Sequence, residues 1–100
     1  MPLVVTRLSS GLVEVWGMVR PARGSVRPTV RVSSGGRYTT AATPRTNSSG
    51  YFRIRMRRRN AERLRYRLEW KGPSETLRSR VARAGRPIRY LDRSNPPRRR

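Results

Sequence analysis

Neither cysteine nor histidine occurs in this 100-residue chain. A disulfide framework is therefore excluded, and the two commonest transition-metal ligands are missing. Nucleophilic mechanisms built on Cys or His are excluded with them. Acidic residues are also scarce. Five Asp and Glu face twenty-five basic residues, for a net charge of +20. Lys71 is the one lysine, so the other twenty-four basic side chains are Arg. No apolar run approaches the roughly 18 residues of a membrane span. The opening residues, Met1 to Arg7, are too short and polar for a secretion signal, so secretion would need a signal carried elsewhere, on a larger parent chain.

Catalytic chemistry is poorly supplied. Glu14, Glu62, Glu69, Glu75 and Asp92 are scattered along the chain, and Glu62 and Glu69 lie among arginines that they can pair with. There is no Gly-rich phosphate loop, Ser nucleophile motif or metal-ligand cluster. A non-enzymatic protein without cofactors is expected.

The residues present alternate. Val13, Val15, Gly17 and Val19 interleave with Glu14, Trp16 and Met18, a period of two that argues a strand. Thr29 to Ser33 repeats the pattern with Val30 and Val32 on one face, and Gly35-Gly36 is a hairpin signal. Tyr38 to Thr43, polar and followed by Pro44, reads as an edge strand. Thr46-Asn47-Ser48-Ser49-Gly50 is a turn by composition. Phe52, Ile54 and Met56 then oppose Arg53, Arg55 and Arg57, and Leu64, Tyr66, Leu68 and Trp70 oppose Arg65, Arg67 and Glu69. A helix over residues 61–71 would scatter Tyr66 and Trp70, so a strand is preferred. Residues 77–84 and 87–91 give two more short strands. The expected fold is all-β, about seven strands in a sandwich, with a barrel as the alternative. The domain spans residues 12–91, between an N-terminal extension (1–11) and a flexible basic Pro/Arg tail (92–100). The expected core is Val13, Val15, Val30, Val32, Phe52, Ile54, Leu64, Tyr66, Leu68, Trp70 and Val81.

The run Thr46-Asn47-Ser48-Ser49-Gly50-Tyr51-Phe52 resembles the Thr-Asp/Asn-x-x-Gly-x-Phe signature of bacterial Ig-like and carboxypeptidase-regulatory-like (transthyretin-like) domains. Residues 15–21 resemble their opening strand, Tyr66 to Trp70 their Tyr-centred strand, and Ser79-Arg80-Val81 their closing strand. The similarity covers roughly residues 12–84. It is closest to accessory modules at the ends of secreted actinobacterial proteins, glycoside hydrolases among them. It departs from them at Asn47, where Asp is usual, and in its arginine content. The resemblance implies an Ig-like sandwich and a non-catalytic spacer or binding module. It also implies neighbouring domains and an extracellular or cell-surface location.

Two constellations point to a ligand. If residues 52–58 and 64–70 pair as a hairpin with opposing positions summing to 122, Arg53, Arg55, Arg57, Arg65 and Arg67 form one ladder. Such a face calls for a polyanion or counterions. In an Ig-type sandwich the two strands can instead lie in different sheets, which splits the ladder. Trp16 and Tyr51 fall on faces opposite Val15 and Phe52, so they are the candidate exposed aromatic platform. Aromatics flanked by Arg suit nucleic acid, and they also suit a glycan. The partner expected is polysaccharide or another acidic surface. The alternative is an Arg-rich nucleic-acid-binding protein of the cytoplasm.

Overall fold

The computed structural model describes residues 1–21 and 24–85, and over them the chain is all-β. Eight strands form: β1 (Leu3–Ser9), β2 (Leu12–Met18), β3 (Thr29–Ser33), β4 (Thr39–Ala42), β5 (Tyr51–Arg57), β6 (Arg65–Lys71), β7 (Thr76–Arg78) and β8 (Ala82–Gly85). A 3-10 turn at Ala61–Arg63 leads into β6. The strands make one sheet in the order β4-β3-β6-β8-β1-β2-β5, with β7 pairing to β6 off that path.

The sheet curls because β8 belongs to both of its halves. It runs antiparallel to β6, with Arg65 opposite Arg83, and parallel to β1, with Val5 opposite Ala84. The half containing β1, β2 and β5 thereby closes over the half containing β3, β4 and β6. Val5, Val13, Val15 and Phe52 from one half meet Val30, Val32, Tyr66 and Leu68 from the other in one core. Val13, Val15, Val30, Tyr66 and Leu68 are fully buried. Each aliphatic side chain so buried contributes about 1.5–3 kcal/mol. The Tyr66 hydroxyl donates to the Ala61 carbonyl at 3.1 Å, which ties the 3-10 turn to the core.

Gly17 sets how closely the halves approach. A Cβ there would lie 2.8 Å and 2.9 Å from the Phe52 ring and 3.2 Å from a methyl of Leu68. Only a residue without a side chain lets Phe52 of β5 lie across β2 and touch the opposite half.

Several expectations need correcting. Residues 3–9 are not an extension: β1 pairs with β2 on one side and β8 on the other. The segment shows no alternation because apolar residues occupy both of its faces, Val5 buried and Val4 49% exposed. The expected strand over 77–84 is two strands, and Val81 is 51% exposed rather than inward. Ser79 takes the inward place, its Oγ accepting from the Leu68 amide and its own amide donating to the Leu68 carbonyl, both at 2.8 Å. The next inward residue is Ala82, three positions on instead of two, and this change of parity turns Val81 out. Ile54, Leu64 and Trp70 are half-buried rather than buried. The strand expected over 64–70 forms as β6, shifted by one residue to 65–71, with a 3-10 turn before it. The sheet is not a closed barrel among the described residues, since β4 and β5 each pair on one side only. The expected strand over 87–91 and the tail over 92–100 lie outside the described residues.

Candidate functional site

The outer face of the β1-β2-β5 half carries the aromatic pair. Phe52 and Ile54 face the core, so Tyr51, Arg53, Arg55 and Arg57 face out. Trp16 stands opposite Arg53, Glu14 opposite Arg55, and Met18 opposite Tyr51. Trp16 and Tyr51 are diagonal neighbours across β2 and β5, with ring centroids 6.2 Å apart and planes inclined at 42°. Tyr51 is 37% exposed and Trp16 is half-buried. Val4 on β1 stands on the other side of Trp16. The structure thus brings the two expected platform residues together, with an arginine beside them and an apolar shoulder behind.

The turn over residues 46–50 fixes where Tyr51 sits. Asn47 Oδ1 accepts from the amides of Ser49 at 2.9 Å and Tyr51 at 3.1 Å. The Asn47 amide donates to the Tyr51 carbonyl at 2.9 Å. Thr46 is buried, its Oγ1 accepting from the Val26 amide at 2.9 Å and so anchoring the loop after β2. Gly50 closes the turn at φ +88°, a left-handed conformation that a side chain disfavours. These residues build the loop, and Asn47 serves in place of Asp because only an acceptor oxygen is used.

The arginine ladder is divided. β5 pairs with β2, while β6 pairs with β3, β7 and β8, so residues 52–58 and 64–70 are not a hairpin. Arg53, Arg55 and Arg57 lie on the outer face of one half. Arg65 and Arg67 lie on the outer face of the other. The intervening 3-10 turn carries the chain from one half to the other, and nothing in the local alternation announces that crossing. Arg67 is held by a partner that sequence did not suggest: its guanidinium carbon lies 4.3 Å from the centroid of the Tyr38 ring.

Three of the carboxylates pair with arginines. Glu14 pairs with Arg55 at 3.6 Å and Glu62 with Arg7 at 4.0 Å. Glu69, though on an outward position, is buried between Arg78 at 2.8 Å and Arg31 at 3.6 Å. The hydrogen bond from Arg78 holds its carboxyl below the ordinary carboxylate value, against the opposing effect of burial. Burial pushes the Tyr66 phenol up, offset in part by the nearby Arg58 charge. Among the described residues no three His, Cys, Asp or Glu side chains gather to hold a metal. No helix among them is long and apolar enough to cross a membrane.

No protein-family model, curated protein or solved structure matches this chain.

Proposed function

We propose that the protein is a non-catalytic, Ig-like accessory module of an extracellular bacterial protein that holds an acidic polysaccharide on the outer face of β2 and β5. The observation that carries this reading is the Trp16–Tyr51 pair, side by side at 6.2 Å with Arg53 opposite Trp16. Aromatic rings on an open sheet face offer stacking area to the apolar faces of sugars, and the guanidinium beside them pairs with a carboxylate on the chain. An open, strand-built surface suits an extended polymer better than a small molecule, which needs a concave pocket. The pairing of Glu14, Glu62 and Glu69 with arginines further supports a binding role over acid–base chemistry.

The test is titration of the protein with polygalacturonate, with neutral dextran and with single-stranded oligothymidylate. Polygalacturonate should bind, and Trp16→Ala should abolish most of that binding in a protein that still folds. Neutral dextran should not bind. Preferential binding of oligothymidylate would transfer the same face to the nucleic-acid reading, in which each stacked base is worth about 1–3 kcal/mol. Unchanged polygalacturonate affinity in Trp16→Ala would refute the platform.

A further inference from the structure

The other outer face holds a different arrangement. β3, β6 and β8 are consecutive in the sheet. Their register puts Arg31 directly opposite Arg67 and Arg65 directly opposite Arg83. All four project outward, because Val30, Val32, Tyr66, Leu68, Ala82 and Ala84 turn to the core. With strands about 4.8 Å apart, the four arginines occupy a patch about 10 Å across. Like charges directly opposite each other oppose strand pairing, and here two such pairs adjoin.

Excess charge alone does not account for this. The arginines of β5 are also outward, yet they stand opposite Trp16, Glu14 and Leu12, so no like pair forms there. On β3, β6 and β8 the compensation is slight. Glu69 lies 3.6 Å from Arg31 but makes its shorter contact, 2.8 Å, with Arg78. Among the described residues no carboxylate comes within 4.0 Å of Arg65, Arg67 or Arg83.

The patch is also pre-arranged. Tyr38 holds two of its members. Its ring lies beneath the Arg67 guanidinium at 4.3 Å, and its carbonyl accepts from Arg31 Nη2 at 3.3 Å. Arg67 Nε is buried without a partner. Tyr38 thereby fixes two of the four guanidinium groups, planar multi-donor cations of the kind that bind tetrahedral oxyanions. A site that breaks the charge-pairing rule with little compensation is where function is to be sought.

We infer that Arg31, Arg65, Arg67 and Arg83, with Tyr38 beneath Arg67, form a binding site for a tetrahedral oxyanion, a phosphate or sulfate ester group. This site lies on the opposite half of the sheet from Trp16 and Tyr51 and does not rest on the reading of that face. A bound oxyanion relieves both arginine pairs at once, so ligand and fold stabilise each other.

The experiment is thermal unfolding of the full chain in millimolar sodium phosphate and, separately, sodium sulfate, against chloride at matched ionic strength. Tm should stay flat below the dissociation constant of either oxyanion and rise with the logarithm of concentration above it, and the half-saturating concentration fitted to that curve is the midpoint. The two arms show which of the two oxyanions the site prefers. Arg83→Thr should leave Tm in chloride equal or higher, since a repulsive pair is gone. The same variant should weaken the oxyanion midpoint about tenfold, equal to about 1.4 kcal/mol. Arg67→Gln should weaken it as well. The pair Arg53→Gln and Arg57→Gln, on the other face, should leave the midpoint unchanged. The site is overturned if chloride gives the same rise, if the β5 variants weaken the midpoint as much as Arg83→Thr, or if Arg83→Thr keeps the parental midpoint.

Discussion

Gly17→Ala adds one methyl group at the place where the two halves of the sheet meet. The new Cβ would lie 2.8 Å and 2.9 Å from two ring carbons of Phe52 and 3.2 Å from Leu68 Cδ2. Neither neighbour has room to withdraw, since Phe52 is 4% exposed and Leu68 fully buried. Overpacking of this kind costs about 1–3 kcal/mol. Removing a glycine also restricts the unfolded chain, which returns about 0.4–1 kcal/mol. The net loss should be about 1 kcal/mol, a fall in Tm of about 4–8 °C for a domain of this size. Calorimetric melting of the purified protein measures it. A second substitution isolates the cause: Phe52→Leu removes the ring that the methyl meets. The double variant Gly17→Ala/Phe52→Leu should therefore be more stable than the sum of the two single losses, by roughly 0.5 kcal/mol or more. A Gly17→Ala protein that melts at or above the parental temperature would refute the account of how the halves pack.

Two further outcomes test the register and the electrostatics. Phe52→Ala should cost about 3–5 kcal/mol, as large aromatic truncations in cores do, whereas Val81→Ser should stay within about 0.5 kcal/mol because Val81 is exposed; equal losses in urea titration would show that the parity change between Ser79 and Ala82 is misplaced. Glu69 makes stability depend on acid. Its folded pKa lies below the ordinary 4.5, first through the hydrogen bond from Arg78, so its contribution is complete above about that pH and is lost as pH falls from there through the folded value. Glu69→Gln should therefore flatten the acid limb of a plot of Tm against pH, and an unchanged limb would show that the carboxylate between Arg31 and Arg78 does not contribute to it.

Strand identity was legible wherever one side of a strand is buried and the other wet. Phe52, Ile54 and Met56 against Arg53, Arg55 and Arg57 announce β5, because side chains alternate between faces over a few residues and the chain needs no distant partner to show it. The same local signal placed Trp16 and Tyr51 on outward faces. The turn over 46–50 was legible because Asn47 and Gly50 act on their own neighbours. β1 gave no such signal, since Val4 and Val5 are both apolar and only pairing with β2 and β8 tells which one is inside. Val81 misled for a related reason: the parity of a strand is kept only while the strand continues, and this one breaks after Arg78.

By itself, then, the sequence determined an all-β chain, most of its core, its excess of arginine and the absence of Cys- and His-based chemistry. All of these depend on composition or on side chains within a few residues of one another. The tertiary structure alone decided which strands are neighbours. It separated Arg53, Arg55 and Arg57 from Arg65 and Arg67, joined Trp16 to Tyr51, laid Tyr38 beneath Arg67 and set Arg31 and Arg83 beside β6. Strand pairing is a contact between segments far apart in the chain. It is settled by how two apolar faces close on one another, here over Gly17, and alternation within a single strand carries no record of it.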